Sequence, residues 1–213
     1  MHSTIEIIPG ILEKEWSEIE KTLQTITTFA NSVHVDIIDG KFVNNHTFLD
    51  PSPFSVFASH LTLEVHLMVD EPANYIESFA DAGFTRFMGH IEKMSDQKAF
   101  LTQAKKYGEA GLALDGPTPL SAITVPLHTV DSFLIYTSEK VGFSGPPFLP
   151  DRLRKVTELK KQTNVPIEVD GGINNHTIAQ AYDAGATRFV STSFLFSSGA
   201  PKSQYHTLSQ LIS

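Results

Sequence analysis

The amino-acid sequence predicts an α/β fold, a (β/α)8 barrel. Three observations point there. Short apolar runs rich in β-branched residues, such as 32–37 and 61–67, read as strands buried on both faces, as in a parallel sheet. These runs alternate with helix-like stretches, eight of each over 213 residues, with no linker or low-complexity segment. A junction also returns: Asp81-Ala82-Gly83-Phe84-Thr85-Arg86-Phe87 is nearly repeated as Asp183-Ala184-Gly185-Ala186-Thr187-Arg188-Phe189. In each copy a helix would end on a left-handed Gly cap and a strand begin, which suits a half-barrel repeat or a favoured helix-to-strand connector.

The elements follow in order. Residues 5–9 form the first strand, and 13–29 a helix in which Trp16, Ile19, Leu23 and Ile26 share one face. Residues 33–37 are the second strand and 51–60 a weaker helix. The third strand, 63–67, precedes a helix opened by Glu71 and Pro72, with the proline inside the first turn. Strand 85–90 leads to helix 95–107, with Asp96 and Gln97 near its start. Strand 111–114 leads to a short helix at 119–123. Strand 132–136 leads to helix 151–162. Strand 165–169 leads to helix 176–184, and strand 188–191 to helix 204–212. One barrel domain spanning 1–213 is expected, somewhat shorter than the typical roughly 250 residues.

Composition narrows the function. Apolar residues make up 41% and charged residues 19%, ordinary for a globular protein. No apolar run reaches the roughly 20 residues of a membrane span, and the first residues carry no signal-peptide pattern. No cysteine is present, which rules out disulfides and thiolate metal sites and makes the cytoplasm the expected compartment. A net charge of -8 without a basic run argues against nucleic acid, and it repels anions at long range, so any phosphate affinity must be local.

Chemistry in such a barrel gathers at the C-terminal ends of the strands. His34 and Asp36 are two apart on the second strand and share its inward face. His66 ends the third strand and Asp170 the seventh. Any one of them alone could be a core polar group satisfied by hydrogen bonds. All four together would bury two carboxylates and two imidazoles at a high cost unless a cation joined them. Nitrogen and carboxylate ligands suit Zn²⁺, Fe²⁺, Mn²⁺ or Co²⁺ better than Ca²⁺.

These residues carry a resemblance. The run from Ser32 to Asn45, containing His34, Asp36, Asp39, Gly40, Phe42, Val43 and Asn45, resembles the ribulose-phosphate 3-epimerase signature His-x-Asp-x-Met-Asp-Gly-x-Phe-Val-Pro-Asn. Glu64-Val65-His66-Leu67-Met68-Val69 and Glu168-Val169-Asp170-Gly171-Gly172-Ile173-Asn174 are similar to its second and third signatures. Pro9-Gly10-Ile11-Leu12, His90-Ile91-Glu92, Thr118-Pro119 and Gly142-Phe143-Ser144-Gly145 follow in order, so the likeness spans nearly the whole chain.

The resemblance implies a phosphate-binding barrel with one divalent metal ion on His34, Asp36, His66 and Asp170. Asp36 and Asp170 are then also the acid and base that invert C3 of ribulose 5-phosphate to give xylulose 5-phosphate, through an enediolate. Inversion needs two proton carriers, and the enediolate charge needs an electrophile. It further implies a homo-oligomer, and substrate contacts from Gly10, Met68, Gly142, Ser144, Gly145, Gly171, Gly172, Thr192 and Ser193.

The ligand-facing positions depart from the family. Gly-Phe-Gly-Gly-Gln becomes Gly142-Phe143-Ser144-Gly145-Pro146, and Pro146 has no N–H to offer phosphate. Thr192 stands before Ser193 where the family has Gly-Ser. Gly10 replaces a serine, Ile38 a methionine, and Tyr136 falls near another methionine. A different ketose, a hexulose 6-phosphate or an unphosphorylated sugar, is therefore a second reading, and a non-catalytic sugar- or metal-binding barrel a third. Decarboxylation or condensation is disfavoured, because Asp36-Ile37-Ile38-Asp39 lacks the Asp-x-Lys-x-x-Asp spacing and the lysine. Lys140 is either a substitute phosphate contact or a solvated loop residue. His90 and Glu92 could line the pocket. His46, His60, His128, His176 and His206 read as surface residues and Trp16 as core.

Overall fold

The computed structural model describes residues 5–212. Its eight strands are parallel and close in chain order: β1 (Glu6–Ile11), β2 (Ser32–Ile38), β3 (Thr62–Met68), β4 (Phe84–His90), β5 (Glu109–Leu114), β6 (Ser132–Tyr136), β7 (Ile167–Asp170) and β8 (Arg188–Ser191). The seam closes where β8 pairs with β1, from Glu6 with Arg188 to Pro9 with Ser191. The first strand runs two residues past Pro9, because Gly10 and Ile11 pair with His34 and Val35.

Among the described residues seven α-helices cover the barrel: α1 (Trp16–Ile26), α2 (Ile76–Asp81), α3 (Gln97–Ala104), α4 (Leu153–Gln162), α5 (Ile178–Asp183), α6 (Ser193–Phe196) and α7 (Pro201–Leu211). Two crossovers correct the expected alternation. The stretch 51–60 is a 3₁₀ turn at Ser52–Phe57, and 119–123 is one at Leu120–Ala122, followed by another at Leu127–Thr129. Prolines explain both. Pro51 and Pro53, and Pro117, Pro119 and Pro126, remove the N–H donors that an α-helix would use. The repeated junction forms as expected, with Gly83 at φ +92° and Gly185 at φ +108° ending α2 and α5.

The main core lies between barrel and helices, where Phe54, Phe79, Phe84, Phe87, Phe100 and Phe133 are sealed from solvent. Trp16 is half-buried against it, edge-on to Phe54 at 5.0 Å. The barrel interior is different. Its apolar part includes Ile8, Met88, Ala113, Leu134 and Val190, and much of the rest is charged. At its N-terminal floor Arg86 and Arg188 alternate with Glu6 and Glu109, with Arg86 3.0 Å from Glu6 and Arg188 2.9 Å from a Glu109 oxygen. Glu64 and Glu168, both fully buried, sit above that ring and below the C-terminal mouth. No helix among the described residues is long and apolar enough to cross a membrane.

Candidate active site

Register builds the site. Asp36 on β2 pairs with His66 on β3, and Asp170 ends β7 opposite Tyr136 on β6. Period-2 alternation turns His34 and Asp36 to the same side, the barrel axis. His34, Asp36, His66 and Asp170 are all buried, and one ligand atom from each lies within 4.8 Å of the others. His34 Nε2 is 3.3 Å from Asp36 and 4.0 Å from Asp170. His66 Nδ1 is 3.0 Å from Asp36 and 3.5 Å from Asp170.

The far side of His34 is held from below. Its Nδ1 lies 2.6 Å from Glu64 and 3.2 Å from Glu168. A carboxylate on one imidazole nitrogen fixes the tautomer and aims the other nitrogen, the usual support for a metal-ligating histidine. His34 Nε2 is fully buried and makes no hydrogen bond among the described residues. Two imidazoles and two carboxylates around a buried, unbonded nitrogen are a donor set that fits a divalent transition-metal ion.

The electrostatics separate the two aspartates. Burial by itself would raise Asp36, but the neighbouring imidazoles of His34 and His66 outweigh it and lower its carboxyl to about 2. Burial and the neighbouring Asp36 charge instead raise Asp170 to about 7. The Glu pair beneath splits likewise. Glu64, held by His34 and the two arginines against its burial, is lowered to about 2, whereas burial and the Glu64 charge raise Glu168 to about 8. Burial also lowers His66, to about 4, with His90 and His34 adding to the effect. Carboxyls whose surroundings drive them apart in this way can serve as an acid and a base in one site.

Above the aspartates lies a narrow cavity of about 30 Å³. Met68, Gly142, Ser144 and Gly145 line it, as do Gly171, Gly172, Thr192 and Ser193. Gly10 lies beneath Thr192 rather than in the lining. The cavity shares Gly145, Pro146, Gly172, Ile173 and Ser193 with a wider outer depression of about 390 Å³. The loop after β6 is pinned over it. Thr137 donates from its N–H to the Asp170 carbonyl at 2.6 Å and from its hydroxyl to the Gly171 carbonyl at 2.7 Å. Ser138 Oγ donates to Pro146 O at 3.0 Å, and Tyr136 OH to Lys140 O at 3.0 Å. Asn45 ties the loop after β2 to it through the Gly142 carbonyl, 2.7 Å away. A Cβ on Gly171 would sit 2.7 Å from Ser138 backbone nitrogen, so this crossing requires glycine.

Sequence reasoning assigned no role to Glu64, Glu168, Thr137 or Ser138. The first two had a signal: Glu64 stands two before His66 and Glu168 two before Asp170, so each shares its ligand's inward face. Lys140 stacks its ammonium 3.8 Å from the centre of the Phe143 ring. His90 is buried, stacks on His66 at 4.9 Å and bonds Glu92 at 2.9 Å, beside the ligand set. His46, His60, His128, His176 and His206 are exposed.

Comparison with known proteins agrees with this geometry. The model of the ribulose-phosphate 3 epimerase family matches residues 6–196. The chain is 33% identical over 205 residues to ribulose-phosphate 3-epimerase of Schizosaccharomyces pombe, covering 92% of this chain and 89% of that one. It is 35% identical over 205 residues to the Treponema pallidum enzyme of the same name, covering 92% and 94%. Among solved structures, 3-keto-L-gulonate-6-phosphate decarboxylase from Vibrio cholerae superposes with a TM-score of 0.75 over 99% of this chain and 98% of that one, at 12% identity, a likeness of fold alone. The chain belongs to the ribulose-phosphate 3-epimerase family and is an enzyme of the isomerase class.

Proposed function

We propose that this enzyme is a metal-dependent ketose-phosphate 3-epimerase that interconverts D-ribulose 5-phosphate and D-xylulose 5-phosphate. The observation that carries the reading is the aspartate pair, two buried carboxyls from different strands gathered with two imidazoles into one cluster beneath the pocket. Inversion at C3 needs a base on one face and an acid on the other. The ionised carboxylate takes the C3 proton, the C3–H electrons pass into the C2–C3 bond of an enediolate, and the protonated partner returns a proton to the opposite face. The reverse reaction exchanges the two roles. A divalent cation held by His34, Asp36, His66 and Asp170 would supply positive charge beside the developing oxyanion.

The phosphate end is assigned to the outer depression. Gly145, Gly172 and Ser193 border both spaces, and among the described residues their N–H groups donate to no backbone carbonyl. Such free amides in a glycine-rich wall suit an anion. Pro146, without an N–H, borders the same spaces and favours a second reading, a different ketose such as a hexulose 6-phosphate or an unphosphorylated sugar.

Deuterium wash-in at C3 from heavy water separates these readings. Exchange is expected with ribulose 5-phosphate. Exchange only with a hexulose 6-phosphate or a free ketose moves the assignment to that substrate. Asp36→Asn and Asp170→Asn should each slow turnover by on the order of a hundredfold or more. Near-normal turnover in both variants refutes the two-aspartate mechanism.

A further inference from the structure

We propose that Gly10 and Thr192 form one interlocked unit in the pocket wall, in which the Thr192 hydroxyl offers the sugar a hydrogen bond from the space that a side chain at position 10 would fill. The inference deepens the epimerase reading and rests on it for the identity of the ligand. Gly10 pairs in register with His34, so a side chain at position 10 would share the inward face of that ligand strand. That space is taken. A Cβ on Gly10 would lie 2.2 Å from Thr192 Oγ1, 3.0 Å from Val190 Cγ1 and 3.4 Å from Thr192 Cβ. No real Cβ tolerates the first contact, so a side chain at position 10 would drive the Thr192 hydroxyl out of its present place.

The hydroxyl itself is unspent. Thr192 precedes α6 but makes no capping bond. No other hydrogen bond engages its oxygen among the described residues, and it is absent from the buried atoms sealed without a partner. Thr192 is half-buried and lines the narrow cavity with Asp36 and Asp170. A free hydroxyl level with the ligand strand, facing a space for a polyhydroxylated substrate, is placed for the sugar's oxygens rather than for the phosphate farther out. Both positions break the family pattern, and they touch each other.

The test uses Thr192→Val, Thr192→Ser, Gly10→Ser, Thr192→Gly and the double variant Gly10→Ser with Thr192→Gly. Thr192→Val keeps the shape and loses the hydroxyl. It should raise KM for ribulose 5-phosphate roughly five- to tenfold, the worth of one substrate hydrogen bond. Inhibition by inorganic phosphate should not change, and Thr192→Ser should stay within about twofold of the starting enzyme. Gly10→Ser should lower the thermal midpoint, and adding Thr192→Gly should restore it. An unchanged KM in Thr192→Val, or phosphate inhibition weakened in proportion, overturns the sugar contact. A double variant no more stable than Gly10→Ser overturns the interlock. If the unaltered enzyme exchanges no C3 hydrogen, the functional reading fails separately. The midpoints still judge the interlock, and calorimetric binding of ribulose 5-phosphate judges the contact, with no binding counting against it.

Discussion

Glu64 orients His34 from outside the ligand set. Its carboxylate is 2.6 Å from Nδ1, and both side chains are fully buried inside the barrel. Removing such support ordinarily weakens metal binding about 10- to 100-fold. Glu64→Ala should show that loss in a zinc competition assay with a chromophoric chelator, and Glu64→Gln, which keeps an acceptor oxygen, should lose less. Equal affinities for Glu64→Ala and the unaltered protein would remove Glu64 from the metal centre. A second residue links the site to pH. Burial alone would raise Glu92, but bonds from His90 and the Asp115 N–H lower it to about 2. Its contribution to stability is therefore full above the ordinary glutamate range and lost as pH falls from about 4.5 toward about 2. Between those limits the unaltered protein should lose on the order of 1–3 kcal/mol more than Glu92→Gln in urea unfolding. Parallel pH profiles would discard the linkage. The four proposed ligands were legible because each puts an imidazole or a carboxylate into an otherwise apolar strand run, on the face that turns inward. Their supports were harder to read, because a buried glutamate two residues earlier looks like any strand residue until a partner strand shows what it faces.

Elements were legible where local chemistry decides them. The Ala-Gly junctions did end α2 and α5 with positive φ, as a left-handed cap requires. The two junctions differ in their surroundings, which the sequence repeat hides. A Cβ on Gly83 would meet the Ala58 Cβ at 2.5 Å, and one on Gly185 the Lys160 Cγ at 2.8 Å. A lysine chain can swing aside and an alanine methyl cannot. Gly185→Ala should thus cost about 1–2 kcal/mol, essentially the left-handed backbone penalty. Gly83→Ala should cost more, about 2–4 kcal/mol, since overpacking adds to it. Denaturant midpoints compare the two, and a larger loss at Gly185 would contradict this ranking. The crossovers after β2 and β5 misread as helices because their apolar spacing is helical while their prolines forbid α-helical bonding. Periodicity reports which face is buried, and it does not count N–H donors.

At the scale of the whole molecule, the closed barrel follows from eight strand runs that each need two covered faces, and so it could be read from sequence. The sugar could not, because the shape of the cavity is set where the loops after β6, β7 and β8 meet, and Pro146 and Thr192 enter its lining only through that meeting. Charge is the global property that bears on substrate capture. The chain carries a net -8, and a sugar phosphate is a dianion near neutral pH. Spread over a body of about 20 Å radius, that charge repels an approaching dianion by on the order of 1–3 kcal/mol when the screening length is about 30 Å, at roughly 0.01 M salt. At about 0.15 M the screening length is about 8 Å and roughly half of that repulsion is gone. In the proposed phosphate site the bordering amides would be dipoles close to the ligand, so salt would screen their attraction far less than it screens the distant surface charge. Added sodium chloride over this range should therefore raise kcat/KM for the phosphorylated ketose about two- to fivefold, through KM. An unphosphorylated ketose should show no such gain, because it carries no charge to repel. A kcat/KM that falls with salt would mean that local cations, Lys140 first among them, outweigh the overall negative field at the phosphate end.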